Sequence, residues 1–148
     1  GFSPTGGLAS SSILNNSPKY YIGTLSSYFD PVLTNLSSSQ FMKCYHAETD
    51  GWDSTTFHSK CDGKGPTVSI IQVSNYTFGG HTDVSWQSMH FLSATRSLSS
   101  CGYTAAAKAF IFSLYKVHGY KPVKLAQYWY QGCAIYSCSS YGRTFGSY

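Results

Sequence analysis

Charge is scarce in this chain, and its scarcity narrows the choice of function. Asp, Glu, Lys and Arg make up 11% of the 148 residues, the formal net charge is +4, and the ten Lys and Arg are scattered. Lys60, Lys64, Lys116, Lys121 and Lys124 come nearest to a group. A nucleic-acid surface needs a denser basic stripe than this, so no nucleic-acid partner is expected. Long apolar runs are missing too. The longest candidate, 105–115, is interrupted by Lys108 and Ser113, well short of the ~18 residues that mark a spanning helix. A basic-then-apolar leader is also lacking, because Gly1 to Ser12 is rich in Gly and Ser. Such a start fits a trimmed secreted chain and a cytosolic chain equally. There is no internal repeat and no composition shift that would mark a second domain, so one domain is expected at this length.

What the chain does have is aromatic side chains, 17% of residues with thirteen Tyr among them. Aromatics fit a pleated, half-buried surface, which predicts a β-rich α+β fold. Five cysteines, Cys44, Cys61, Cys101, Cys133 and Cys138, in a chain with so few charges resemble an oxidising-compartment set. Two bridges and one leftover thiol allow fifteen pairings, which the sequence does not rank. Buried free thiols in a cytosolic protein are the alternative. Three N-x-Ser/Thr triplets, at Asn15, Asn35 and Asn75, are glycosylation acceptors if the chain is secreted, the first weakened by Pro18 directly after it.

Periodicity supplies the elements. Ser17-Pro18 reads as a helix start, and Ile22, Leu25, Phe29 and Val32 or Leu33 recur at helical spacing. This predicts one amphipathic helix over about 17–34, with Asp30-Pro31 near its end and 1–16 as a separate Ser/Gly-rich segment. Strands are expected over 41–47, 67–73, 76–80, 109–115, 124–130 and 134–138. The 109–115 strand carries apolar residues at both parities, so it is expected in the centre of a sheet, covered on both sides. Asp53 is placed to cap a short helix that puts Phe57 and Cys61 on one face. Asp62-Gly63 with Gly65-Pro66 forces a turn, 73–76 reads as a hairpin connection, and 87–102 reads as a long loop.

Two runs carry a resemblance: 45–52 (Tyr-His-Ala-Glu-Thr-Asp-Gly-Trp) and 57–67, with Phe57, His58, Cys61 and Asp62-Gly63-Lys64-Gly65-Pro66-Thr67. With Phe78-Gly79-Gly80, Thr82, Val84 and Trp86, then 108–114, Ala134-Ile135-Tyr136, Tyr141-Gly142 and Phe145-Gly146, they resemble the TLDc domain family from Phe41 onward. The resemblance implies two packed antiparallel sheets with a few helices at the side. It also implies a link to oxidation resistance or to binding a rotary proton pump, and it brings no set of catalytic residues. On this reading Asp50, Gly51, Trp52, Phe57, His58, Cys61, Asp62, Gly63, Gly65, Pro66, Phe78, Gly79 and Gly80 serve the fold. The chain departs from the pattern in its cysteines and sequons, which are closer to secreted members in simple marine animals. It departs also in a segment, 89–100, with no family counterpart, and in closing strands that are expected after Gly146 and are missing. Such a gap would leave a sheet edge to be covered by another chain or by the N-terminal segment.

Chemical constellations are weak beside these structural readings. Cys44, His46, His58 and Cys61 have the residue types of a zinc site without its short chelating loops. Asp50, Asp53, Asp62 and Asp83 lack the alternating spacing of a calcium loop. Around no cysteine is there an elbow or oxyanion motif, and Gly63-Lys64-Gly65-Pro66 leads into a strand where a phosphate loop would open a helix. His58 is expected to pack or to bond within the 62–65 turn. No cofactor, metal or catalytic residue is expected. Tyr103, Tyr115, Tyr120, Tyr128, Tyr130, Tyr141, Tyr148, Trp86 and Trp129 exceed what a core needs, and the excess would stack on sugars or on further copies of the chain. The expectation is a secreted, non-enzymatic structural or adhesive module that self-associates or joins an extracellular protein assembly. Glycan recognition and an intracellular TLDc role are the alternatives.

Overall fold

The structure is a computed structural model that describes residues 7–33, 40–88, 101–115, 120–127 and 131–146. Among the described residues four α-helices, α1 (Ser12–Asn15), α2 (Tyr20–Phe29), α3 (Ala47–Asp50) and α4 (Ser54–Cys61), accompany seven strands. The strands are β1 (Thr67–Val73), β2 (Tyr76–Thr82), β3 (Cys101–Thr104), β4 (Phe110–Ser113), β5 (Val123–Ala126), β6 (Ile135–Cys138) and β7 (Thr144–Phe145). They form two antiparallel sheets, one in the order β1-β2-β4-β5 and one in the order β3-β6-β7. The β-rich α+β architecture expected from the aromatic content is therefore the one observed.

The chain divides into two compact units. The first comprises Gly1–Lys43, Ile70–Gly79 and Phe112–Leu125. In it the helix predicted over about 17–34 is α2, shorter than expected, and α1 precedes it inside the stretch set apart as 1–16. Ser11 caps α1 by accepting from the Leu14 amide, while Ser17 donates its hydroxyl back to the Ile13 carbonyl at 2.6 Å. Ser17 thus finishes the first helix and does not open the second, whose N-cap position is held by Lys19 without a side-chain bond. The buried stripe of α2 is Tyr21, Leu25 and Phe29, four residues apart, and the helix ends at Phe29, although Asp30, just before Pro31, keeps helical φ and ψ of −49° and −47°. Leu8 and Leu14, from the stretch set apart as 1–16, are both buried.

The hairpin of this unit has a two-residue loop, Ser74-Asn75, which sets Val73 opposite Tyr76 and Ile71 opposite Phe78. Ser74 sits at φ 53°, a left-handed conformation that costs a residue with a Cβ about 1–2 kcal/mol. Glycine loses that penalty but has more chain entropy to lose. Ser74→Gly is therefore expected to raise unfolding free energy by roughly 0.5–1 kcal/mol, read as a higher denaturant midpoint at unchanged slope.

The second unit comprises Cys44–Ser69, Gly80–Ile111 and Ala126–Tyr148. Phe57, Cys61, Trp86 and Ile135 form its core, with Cys44, Tyr45, Val84 and Phe145 packed around them. Trp86 stands edge-on to the rings of Phe57 and Phe145 at 6.1 and 5.5 Å and donates its indole N–H to the Thr67 hydroxyl at 2.9 Å. A Cβ on Gly80 would lie 2.6 Å from the Phe145 ring. This glycine is needed so that β2 and β7 can approach.

Several expectations change here. The strand foreseen over 41–47 does not form. The His46 amide donates to the Asp50 carboxylate and its carbonyl receives the Thr49 and Asp50 amides, so the backbone groups go into the start of α3. Asp53 does hold the N-cap position of α4, yet its side chain makes no capping bond. Strand β4 is internal as expected, but Phe110 and Phe112 are buried while Ile111 is exposed, so it is covered on one side. Strand β3, Cys101–Thr104, begins in the last two residues of the region read as loop, 87–102.

Candidate functional site

Two features of the surface and its support carry chemistry: a locked corner around α4, and clusters of tyrosine. At the corner, α4 presents His58 on the same face as Phe57 and Cys61, and all three are buried. His58 Nδ1 lies 2.7 Å from Asp62 Oδ1, and Nε2 lies 3.0 and 2.9 Å from the carbonyl oxygens of Cys138 and Tyr141. Carbonyl and carboxylate oxygens accept, so both ring nitrogens donate and the ring is an imidazolium. Burial by itself lowers the His58 pKa; the bond to Asp62, the Tyr141 carbonyl, the Asp62 charge and the Cys138 carbonyl together outweigh it, and the net shift is upward. The other carboxylate oxygen of Asp62 accepts from the amide and the hydroxyl of Ser88.

Ser88, Asp62 and His58 have the residue types of a hydrolase triad in the wrong order. A triad needs the imidazole between hydroxyl and carboxylate, whereas here the carboxylate is in the middle and the imidazole has no lone pair to take a proton. The array is a lock that ties α4 to the β6–β7 connection. Ser54 adds a second tie by donating to the Ser139 carbonyl at 3.1 Å, and Cys44 bonds Cys61 with the Cα atoms 5.5 Å apart. Arg143 closes the corner, its guanidinium stacked 4.8 Å from the Phe57 ring centre and 5.3 Å from that of Tyr45. Burial pulls the Arg143 pKa down and the Tyr45 phenol opposes it.

Three of the four carboxylates weighed for calcium are engaged with other partners. Asp50 accepts from the His46 amide and the Lys60 ammonium, Asp62 is held as above, and Asp83 accepts from the Lys108 amide. Among the described residues no three His, Cys, Asp or Glu gather as metal ligands, and Cys44 and Cys61 are spent on a disulfide. Gly63 and Gly65 have φ of 70° and 63°, and the Gly65 amide donates to the Ser85 hydroxyl, so the Gly-Lys-Gly run is a turn. Of the motif residues read as serving the fold, Trp52 is 81% exposed and Phe78 is exposed too. The remaining cysteines resolve as a Cys101–Cys138 bond across directly opposed positions of β3 and β6, with Cys133 free and half-buried.

The tyrosines gather. Tyr103 on β3 is opposite Tyr136 on β6, ring centres 4.9 Å apart, and Tyr136 is 6.3 Å from Tyr141. Tyr103 and Tyr136 share a sheet face with the Cys101–Cys138 bond, while Ile135 and Phe145 point to the core. In the first unit Tyr76 and Tyr115 are 4.6 Å apart, and Tyr20 and Tyr21 are 4.9 Å apart. Trp86, counted above among surplus aromatics, is fully buried and belongs to the core. Tyr120 is exposed; Tyr128, Trp129, Tyr130, Tyr148, Asn35 and segment 89–100 lie outside the described residues. Asn15 and Asn75 are both exposed.

Sequence reasoning missed Tyr136, Ser88 and Arg143. A signal for the first was available: Cys101-Gly102-Tyr103 and Tyr136-Ser137-Cys138 are complementary when read in opposite directions, which antiparallel pairing converts into two facing pairs.

No helix among the described residues is long and apolar enough to cross a membrane. No curated protein and no solved structure matches the chain at a significant level. A model of the TLDc domain family matches residues 8–148. The match takes in the locked corner, the Gly80–Phe145 contact and both sheets, and the chain belongs to the TLDc domain family.

Proposed function

We propose that the chain is a secreted, non-enzymatic structural or adhesive module that associates with copies of itself or with other extracellular protein. The observation that carries this reading is the pair of disulfides, Cys44–Cys61 and Cys101–Cys138, because bridges of this kind persist in oxidising compartments and are rare in the cytosol. The same observation weighs against the intracellular oxidation-resistance and pump-binding role that the family suggests. Exposed Asn15 and Asn75 are accessible as glycan acceptors. The first hairpin adds an adhesive surface, with Ile71, Val73, Tyr76 and Phe78 all exposed. On the chemical side, the imidazolium of His58 has no proton-accepting nitrogen, which supports a non-enzymatic reading.

Glycan recognition is the second reading, favoured by the half-exposed row Tyr103, Tyr136 and Tyr141. Sedimentation of the oxidised chain over a range of concentrations separates the two. Mass-dependent association without added ligand supports the structural module. A monomer at every concentration that binds a soluble oligosaccharide saturably supports recognition and removes self-association from the account.

A further inference from the structure

Ten of the thirteen tyrosines are described, and at least seven of those ten touch another tyrosine. In the second unit, Tyr136 is in contact with Tyr103 on one side and Tyr141 on the other. In the first, Tyr20 bonds Tyr21, Tyr21 feels the phenol of Tyr115, and Tyr115 packs on Tyr76. Each cluster reaches solvent through an exposed ring, at Tyr103 and Tyr141 in one and at Tyr20 and Tyr76 in the other. Core packing alone does not ask phenols to collect at the surface, since an isolated Tyr satisfies its hydroxyl with water.

We propose that these clusters, Tyr103–Tyr136 and Tyr76–Tyr115 above all, are sites of oxidative phenol coupling that cross-link the protein. The ring planes are inclined by 53° and 56°, a twist suited to a biaryl bond, whose two rings avoid coplanarity because their ortho substituents collide. One molecule of hydrogen peroxide, acting through a haem peroxidase, takes one electron and one phenolic proton from each of two tyrosines and is reduced to two waters. The two phenoxyl radicals join through carbons ortho to oxygen. The ring hydrogens on those carbons then move to the oxygens and restore both phenols, so the linked pair has lost two hydrogens. Within Tyr103–Tyr136 this bond staples β3 to β6 beside the Cys101–Cys138 bridge; between exposed rings of two copies it joins chains.

The inference rests on the extracellular reading for its oxidant, but the chemistry is testable without it. The folded, disulfide-bonded chain is treated with a haem peroxidase and limiting peroxide, digested, and searched for linked peptides. Tyr103–Tyr136 and Tyr76–Tyr115 links are expected to exceed links at Tyr120 severalfold, although Tyr120, at 75%, is the most exposed of the described tyrosines. The Tyr103–Tyr136 link should vanish in Tyr136→Phe, which keeps the ring, and persist in Tyr120→Phe. Links distributed by exposure with Tyr120 leading, or the same pattern in denaturant, would overturn the proposal. In-cluster coupling by a protein whose native cysteines are all reduced would leave the site standing and refute the extracellular reading instead.

Discussion

His58→Ala is expected to lower unfolding free energy by about 3–5 kcal/mol, the loss typical of breaking a buried ion pair from one side. The ring is 4% exposed, and its removal takes the counter-charge from the Asp62 carboxylate, which keeps only Ser88, and a donor from each of the carbonyls of Cys138 and Tyr141. Denaturant unfolding with both disulfides intact measures the loss. The pH dependence gives a second readout. Because the folded pKa of His58 is raised above its unfolded value of 6.5, its stabilisation is fully present below that value and is lost as pH rises through the folded pKa. Wild-type stability should therefore fall as pH rises above about 6.5, and most of that fall should be absent in His58→Ala. A substitution that cost less than about 1 kcal/mol and left the pH profile unchanged would mean that the corner is not locked by this imidazolium.

Trp86→Ala is expected to cost about 3–5 kcal/mol as well, by a different route. No part of Trp86 is exposed, the rings of Phe57 and Phe145 stand edge-on to it, and its N–H holds the Thr67 hydroxyl. Alanine leaves a cavity between these elements that they cannot close, since Phe145 is already against Gly80. Trp52→Ala is the matched comparison: a residue of the same type from the same family-like pattern, 81% exposed, whose loss should stay within about 0.5 kcal/mol. Thermal or denaturant midpoints of the two variants decide the point. Equal losses would contradict the division between a core indole and a surface one.

These two tryptophans show how far the sequence could be read. Both lie in runs that resemble the TLDc pattern, and nothing in the residue types separates the one that fills the core from the one that stands in solvent. What was legible had a strong local cause. Hairpin 73–76 has a two-residue loop, Gly63 and Gly65 need positive φ, and Phe57 and Cys61 are four apart on a short helix; each appears where expected. What was not legible depended on partners distant in the chain. His58 was placed with the 62–65 turn correctly, but its second nitrogen is held by carbonyls some eighty residues away. Strand β3 has four residues with a glycine among them, too few to establish a period, and it exists because β6 pairs with it. Ser17 looked like the cap of the helix after it and serves the helix before it, a competition between two local bonds of similar strength. The disulfide pairing had fifteen solutions on paper and follows from the fold alone.

Peptide mass mapping of the native protein without reduction decides whether this is a disulfide-bonded secreted module. Linked peptides joining Cys44 to Cys61 and Cys101 to Cys138, with Cys133 free and a glycan on Asn75, Asn15 or Asn35, are the predicted result. Five free thiols and unmodified asparagines would contradict it and would return the chain to the intracellular role of its family.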